Sequence, residues 1–178
     1  QAAGRIDHPH VLPVHEAAED GGMCYLVTPY CRGLSLAEWF VEQQPVSATD
    51  VAQLGASLAD ALACAHEAGV LHRDIKPANI LLDISATDAS SERETLKKRT
   101  LSTFVPKLTD FGLAKLLQSS DLETRTGTMV GTPTYMAPEQ ATGRYADVRT
   151  DVYSLGLVMY ELLTGQLPAD ASTVAGLA

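Results

Sequence analysis

The sequence predicts an α+β chain in which a few short strands accompany a mostly helical body. Three observations carry this. Strand-like runs broken by turn residues occupy the first segment. Apolar residues recur at helical spacing between 51 and 65, and residues 152–163 are apolar almost all round.

Val11-Leu12-Pro13-Val14 and Met23-Cys24-Tyr25-Leu26-Val27 read as strands flanking Glu19-Asp20-Gly21-Gly22, which carries turn chemistry. Pro29-Tyr30-Cys31-Arg32-Gly33 reads as a linker. Ser35 and Glu38 have capping-box spacing, so a short helix with Trp39 and Phe40 begins there. Ser47-Ala48-Thr49-Asp50 offers a second such start. The helix it opens presents Val51, Leu54, Leu58, Leu62 and Ala65 on one face, and Gly69 is placed to end it in a left-handed cap. Val70-Leu71-His72 and Ile80-Leu81-Leu82-Asp83 are predicted strands on either side of a polar loop. Val105-Pro106-Lys107-Leu108-Thr109 is another, with the proline marking its start. Residues 84–104, rich in Ser, Thr and charge, predict a solvated insertion without regular structure. The 152–163 run predicts a helix buried in a core.

Composition narrows the function. The 178 residues suffice for one domain, and 46% hydrophobic against 20% charged residues describes a globular chain. The formal net charge of −9, from 22 acidic and 13 basic residues, argues against a nucleic-acid partner. Cys24, Cys31 and Cys64 are odd in number and lack metal-ligand spacing, so free thiols in a reducing compartment are expected. The longest apolar run is far too short to span a bilayer, so no membrane contact is expected within this segment. A chain that starts at Gln1 without an initiator Met is expected to be a fragment.

The densest signal is His72-Arg73-Asp74-Ile75-Lys76-Pro77-Ala78-Asn79, followed by Asp110-Phe111-Gly112 and Ala137-Pro138-Glu139. Taken singly, Asp74 is most often a turn residue, Lys76 a solvated charge, Asn79 a turn former and Asp110 the start of a tight turn. Taken together and in this order, the chain resembles the eukaryotic-like (Hanks-type) serine/threonine protein kinases, its bacterial members above all. The resemblance covers nearly the whole chain apart from the insertion.

The resemblance implies a two-lobed kinase fold, truncated at both ends. Residues 1–28 would be the last strands of the N-lobe. Residues 29–178 would be the hinge and a partial C-lobe, with an insertion at 84–105 before the Asp-Phe-Gly loop. It implies ATP and Mg²⁺ as cofactors and protein Ser or Thr hydroxyls as acceptors. Asp74 would orient the acceptor hydroxyl and Lys76 would reach the γ-phosphate, with Asn79 and Asp110 as oxygen ligands for Mg²⁺. Thr28 would be the gatekeeper, the backbones of Pro29 and Cys31 would meet the adenine edge, and Leu81 would lie beneath it. Thr132 matches the threonine that bonds to the catalytic Asp and Lys. Arg73 would pair with a phosphorylated Thr124 or Thr126. His72, Phe111 and Val14 would stack between the lobes, and Asp151 would bond to the catalytic-loop backbone. Glu139 would pair with an arginine beyond Ala178.

The Gly-rich loop, strand lysine and helix glutamate of the family are expected upstream of residue 1, so this stretch alone is expected to be inactive. The insertion, with Lys97-Lys98-Arg99-Thr100, would project from the C-lobe as a tolerated expansion or a place for regulatory partners. The need for ATP implies a cytoplasmic kinase domain, in a protein whose anchoring elsewhere is left open. Two alternatives stand beside the enzyme: a pseudokinase, and a small-molecule phosphotransferase, which would not be expected to show Ala-Pro-Glu or Thr132.

Overall fold

The computed structural model describes residues 6–21, 23–41, 46–84, 93–111 and 133–168. The described residues form two small sheets and a set of helices, with one apolar cluster drawn largely from the helices and the second sheet. β1 (Glu16–Asp20) and β2 (Met23–Val27) pair antiparallel with Asp20 opposite Met23, closing a tight hairpin through Gly21 in a left-handed conformation (φ 57°). The first strand is thus not at 11–14. Pro13 has no N–H to give to a ladder, and Val11 makes only an isolated parallel bridge to Leu108. That bridge still ties the segment down, since Leu12 N donates to Leu108 O at 2.8 Å and Leu108 N to His10 O at 2.8 Å.

The second sheet sets the site. β3 (Leu34–Ser35), β4 (Ile80–Asp83) and β5 (Val105–Leu108) run in that order, all antiparallel. Ile80 and Leu82 are wholly buried on one face of β4. Gly33 permits the approach of β3, because a Cβ there would lie 1.6 Å from Leu82 O. The predicted strand at 70–72 does not form. That stretch is irregular: Val70 N donates to Ala65 O at 2.9 Å and His72 N to the Asp151 carboxylate at 2.9 Å.

Helix α1 (Leu36–Phe40) opens on the predicted box: Ser35 Oγ accepts from Glu38 N at 3.2 Å, and Ser35 N donates to Glu38 Oε2 at 2.9 Å. Helix α2 (Ala48–Glu67) is capped by Ser47 Oγ, buries Val51, Leu54, Leu58, Leu62 and Ala65, and is followed by Gly69 at φ 74°. The long C-terminal helix, which follows two shorter ones, runs Val148–Thr164 and packs on α2. It is not buried all round: Val152 is 62% exposed, and Tyr160 and Leu163 also face outward.

Residues 93–104, expected to belong to a projecting insertion, depart most from expectation. They fold back onto the body instead of projecting. Helix α3 (Arg93–Leu96) buries Leu96 completely, and Leu101 and Phe104 are buried after it. Trp39 Nε1–H donates to Arg99 O at 3.0 Å, and Arg93 pairs with Glu38 at 2.8 Å. Each buried apolar side chain contributes about 1.5–3 kcal/mol, whereas the exposed ion pair contributes about 1 at most. Apolar burial therefore holds the segment down. Residues 85–92 lie outside the described residues.

Candidate active site

The short helix α4 (Pro138–Ala141) and the long α5 (Val148–Thr164) complete the frame. The site forms where the loop after α2 meets the ends of β4 and β5. Pro77–Asn79 makes one 3-10 turn, with Asn79 N donating to Lys76 O at 2.9 Å, and leads straight into β4. The turn brings three predicted residues together. Lys76 Nζ lies 2.7 Å from Asp74 Oδ2, and Asn79 Nδ2 donates to the same oxygen at 2.9 Å and to Asp74 O at 2.8 Å.

Both donors converge on Oδ2, so among the described residues Asp74 Oδ1 is the oxygen left for an incoming hydroxyl. The Asp74 side chain is 46% exposed and Lys76 is 21%. A pair that open is worth about 0–1 kcal/mol, so stability does not explain its placement. Asn79, only 7% exposed, spends its Nδ2 on Asp74, so its Oδ1 is the atom that can serve as a hard oxygen donor.

Asp110 reaches this place by sheet register. Ile80 pairs with Leu108, and Thr109 N donates to Asn79 O at 3.0 Å, so Asp110 emerges beside Asn79. Asp110 is exposed and sits at φ 67°. Arg73 shares that left-handed angle. Conformations of this kind in non-glycine residues cost about 1–3 kcal/mol and persist only where neighbours hold them. A carboxylate and an amide oxygen, with no cluster of three metal-ligating side chains among the described residues, suit a cation that takes its remaining ligands from phosphate and water.

Arg73 is held by its neighbours. Asp151, 1% exposed at the start of α5, accepts from Arg73 N at 2.7 Å through Oδ1. Its Oδ2 accepts from His72 N at 2.9 Å and from His66 Nε2 at 2.7 Å. Three N–H donors offset the cost of burying that charge. The sequence pointed to Asp151 but not to His66, which stands in the last turn of α2. His72 is fully buried and packs on Phe111 with ring centroids 4.6 Å apart. Burial lowers its pKa, against the opposing pull of the Asp151 and Asp74 charges. Val14 is half-buried and stands outside the apolar cluster.

Glu139 has a partner within the chain: Thr150, fully buried, donates to its Oε1 at 2.6 Å. Ser154 Oγ donates to Tyr135 O at 2.8 Å and Tyr135 Oη to Glu161 at 2.6 Å, so residues 135–139 are fastened to α5 at three points. Burial, then the Glu161 carboxylate, push the Tyr135 phenol up. Thr150, Ser154 and Glu161 were missed by sequence reasoning.

The nucleotide candidates divide. Cys31 and Leu81 line one cavity of about 180 Å³ together with Gly33, Glu38 and Arg93. Burial pushes the Cys31 thiol up to about 11, which keeps it protonated at neutral pH. Thr28 is exposed and Pro29 half-buried, and neither lines that cavity. A larger cavity of about 440 Å³ between α2 and residues 101–106 contains none of the candidate side chains, so size does not mark the site. Thr124, Thr126 and Thr132 lie outside the described residues.

The family model for the protein kinase domain matches residues 1–176. The chain is 33% identical over its whole length to the serine/threonine-protein kinase PrkC of Bacillus subtilis, covering 24% of that protein. It is 41% identical over 92% of its length to PkaA of Streptomyces coelicolor, covering 27% of that protein. The chain therefore spans about a quarter of these relatives. Among solved structures it resembles the PknI kinase domain of Mycobacterium tuberculosis, with a TM-score of 0.70 and 28% identity over 96% of this chain and 56% of that one.

Proposed function

Because this chain belongs to the protein kinase domain family, in company with bacterial serine/threonine-protein kinases, we propose that the protein transfers the γ-phosphoryl group of ATP to Ser or Thr hydroxyls of other proteins. The observation that carries this is the convergence of Lys76 Nζ and Asn79 Nδ2 on one oxygen of Asp74.

Asp74 Oδ1 would take the hydrogen bond of the acceptor hydroxyl and receive its proton as that oxygen bonds to the γ-phosphorus and the bond to the bridging oxygen breaks, releasing ADP. Lys76, already 2.7 Å from Asp74, offsets negative charge gathering on the γ-phosphoryl oxygens. Asn79 Oδ1 and the Asp110 carboxylate would hold Mg²⁺, which supplies charge neutralisation to the phosphates when bound. Leu81 would lie under the adenine of ATP, and the backbones of Pro29 and Cys31 would meet its edge. Thr132 would join Asp74 and Lys76, and a phosphorylated Thr124 or Thr126 would pair with Arg73. The division at residue 28 into lobe strands and hinge belongs to the same reading. Among the described residues no helix is long and apolar enough to cross a membrane.

The test is transfer of labelled γ-phosphate by the full-length protein to a generic protein acceptor with Mg²⁺, beside an Asp110→Asn control. Label on Ser or Thr that vanishes in the control is expected. ATP binding without transfer would overturn the enzyme and leave a binding module.

A further inference from the structure

The left-handed Arg73 stands one residue before Asp74, and side chains hold both of its backbone polar groups. Its N–H goes to Asp151 Oδ1 at 2.7 Å, and its carbonyl accepts from Gln140 Nε2 at 2.8 Å. Gln140 belongs to α4, and its Oε1 accepts from Ala137 N at 3.1 Å. One carboxamide thus bridges the Ala-Pro-Glu segment and the catalytic loop.

The chemistry of the two partners fixes which side chain can do this. A carbonyl needs a donor and an amide N–H needs an acceptor, only a few ångströms apart at the end of one side chain. A carboxamide supplies both. A carboxylate supplies only acceptors, and an aliphatic side chain supplies neither. The partners also settle the orientation of the amide, since the reversed assignment would set oxygen against oxygen.

We propose that Gln140 is a positioning residue for Asp74: it couples the seating of the Ala-Pro-Glu segment to the backbone that aims the catalytic carboxylate. This rests on the kinase reading above. Glu139, its neighbour, is bonded to the buried Thr150. The two successive side chains therefore fasten α4 to α5 and to the catalytic loop. Without the Gln140 donor, the Arg73 backbone keeps its bond to Asp151 but loses the one to α4, and Asp74 gains freedom about a strained link. Small misplacements of a reacting group are costly in rate.

Gln140→Glu isolates the donor bond. The introduced carboxylate still accepts from Ala137 but repels the Arg73 carbonyl. Protonated, it donates again. In the full-length protein, kcat and the KM for ATP are measured with casein as acceptor between about pH 8 and about pH 5.5, a range that approaches the carboxyl pKa. At the alkaline end kcat is expected to fall about tenfold with the KM for ATP unchanged. The deficit relative to wild type should shrink as pH falls. Gln140→Ala should show the same loss at every pH. A Gln140→Glu variant equal to wild type at about pH 8, or a deficit independent of pH, would overturn the proposal. A wild type that transfers nothing would sink the kinase reading alone. The strap is then judged by hydrogen exchange of residues 68–79, where faster exchange in Gln140→Glu at about pH 8 supports it and no change overturns it.

Discussion

The two sheets of this protein contrast in what holds them. β1 and β2 make a hairpin whose first strand, Glu16-Ala17-Ala18-Glu19-Asp20, is exposed along nearly its whole length, and whose second leaves Met23 74% exposed. β4, at the centre of the other sheet, buries Ile80 and Leu82 completely and lies between two neighbours. A two-stranded ribbon is marginal by itself, whereas a central strand with a buried face is specified in register to the residue. The catalytic candidates hang from the second kind of structure. Asn79 enters β4 and Asp110 leaves β5, so their meeting inherits the precision of Ile80 opposite Leu108.

The largest effect that tests this contrast is on rate. Asp74→Ala should lower transfer about 10²–10⁴-fold with little change in Tm, because its bond to Lys76 is half-exposed. A Tm collapse would make Asp74 a structural residue. Asp151→Ala should act the other way, on stability. It strands His66 and the N–H groups of His72 and Arg73, at a cost of about 3 kcal/mol in denaturant unfolding.

Leu96→Ala should cost about 2–5 kcal/mol, while Met23→Ala should stay within about 0.5. Equal costs would erase the distinction between body and hairpin, and would return residues 93–104 to a solvated loop. A smaller effect comes from His72. Its folded pKa is depressed by burial, so below about pH 6.5 the unfolded chain takes a proton that the folded one refuses. Stability is therefore fully present above that pH and declines as pH falls through it. Tm should drop between about pH 7.5 and 5.5, and by less in His72→Phe.

Local chemistry made much of this legible. The Ser35 and Ser47 caps, the Gly69 stop and the strands at 80–83 and 105–108 follow from side chains acting on their own neighbourhood. Lys76, Asn79 and Asp110 likewise stood out by order and spacing, and the first two do meet the Asp74 carboxylate. What was hidden depends on partners far along the chain. Residues 16–20 carry Ala and Glu, which favour helices, yet pairing with β2 draws them into a strand. Leu96, Leu101 and Phe104 were the trace of a folded segment, obscured by the Ser, Thr and Lys around them. The polar contacts of His66, Gln140, Thr150 and Glu161 reach across 85, 67, 11 and 26 positions. No periodicity encodes these.

Asp151 gathers two consecutive main-chain N–H groups and one side chain, from as many as 85 positions away, onto its two carboxylate oxygens. Geometry at the reacting end is then set by a clasp, and contour length between the clasped points is left unconstrained. Extra sequence added between residues 74 and 151 would lengthen the path and leave the endpoints where they are. A fold fastened this way can acquire new surface by insertion while its chemistry stays registered to a single carboxylate.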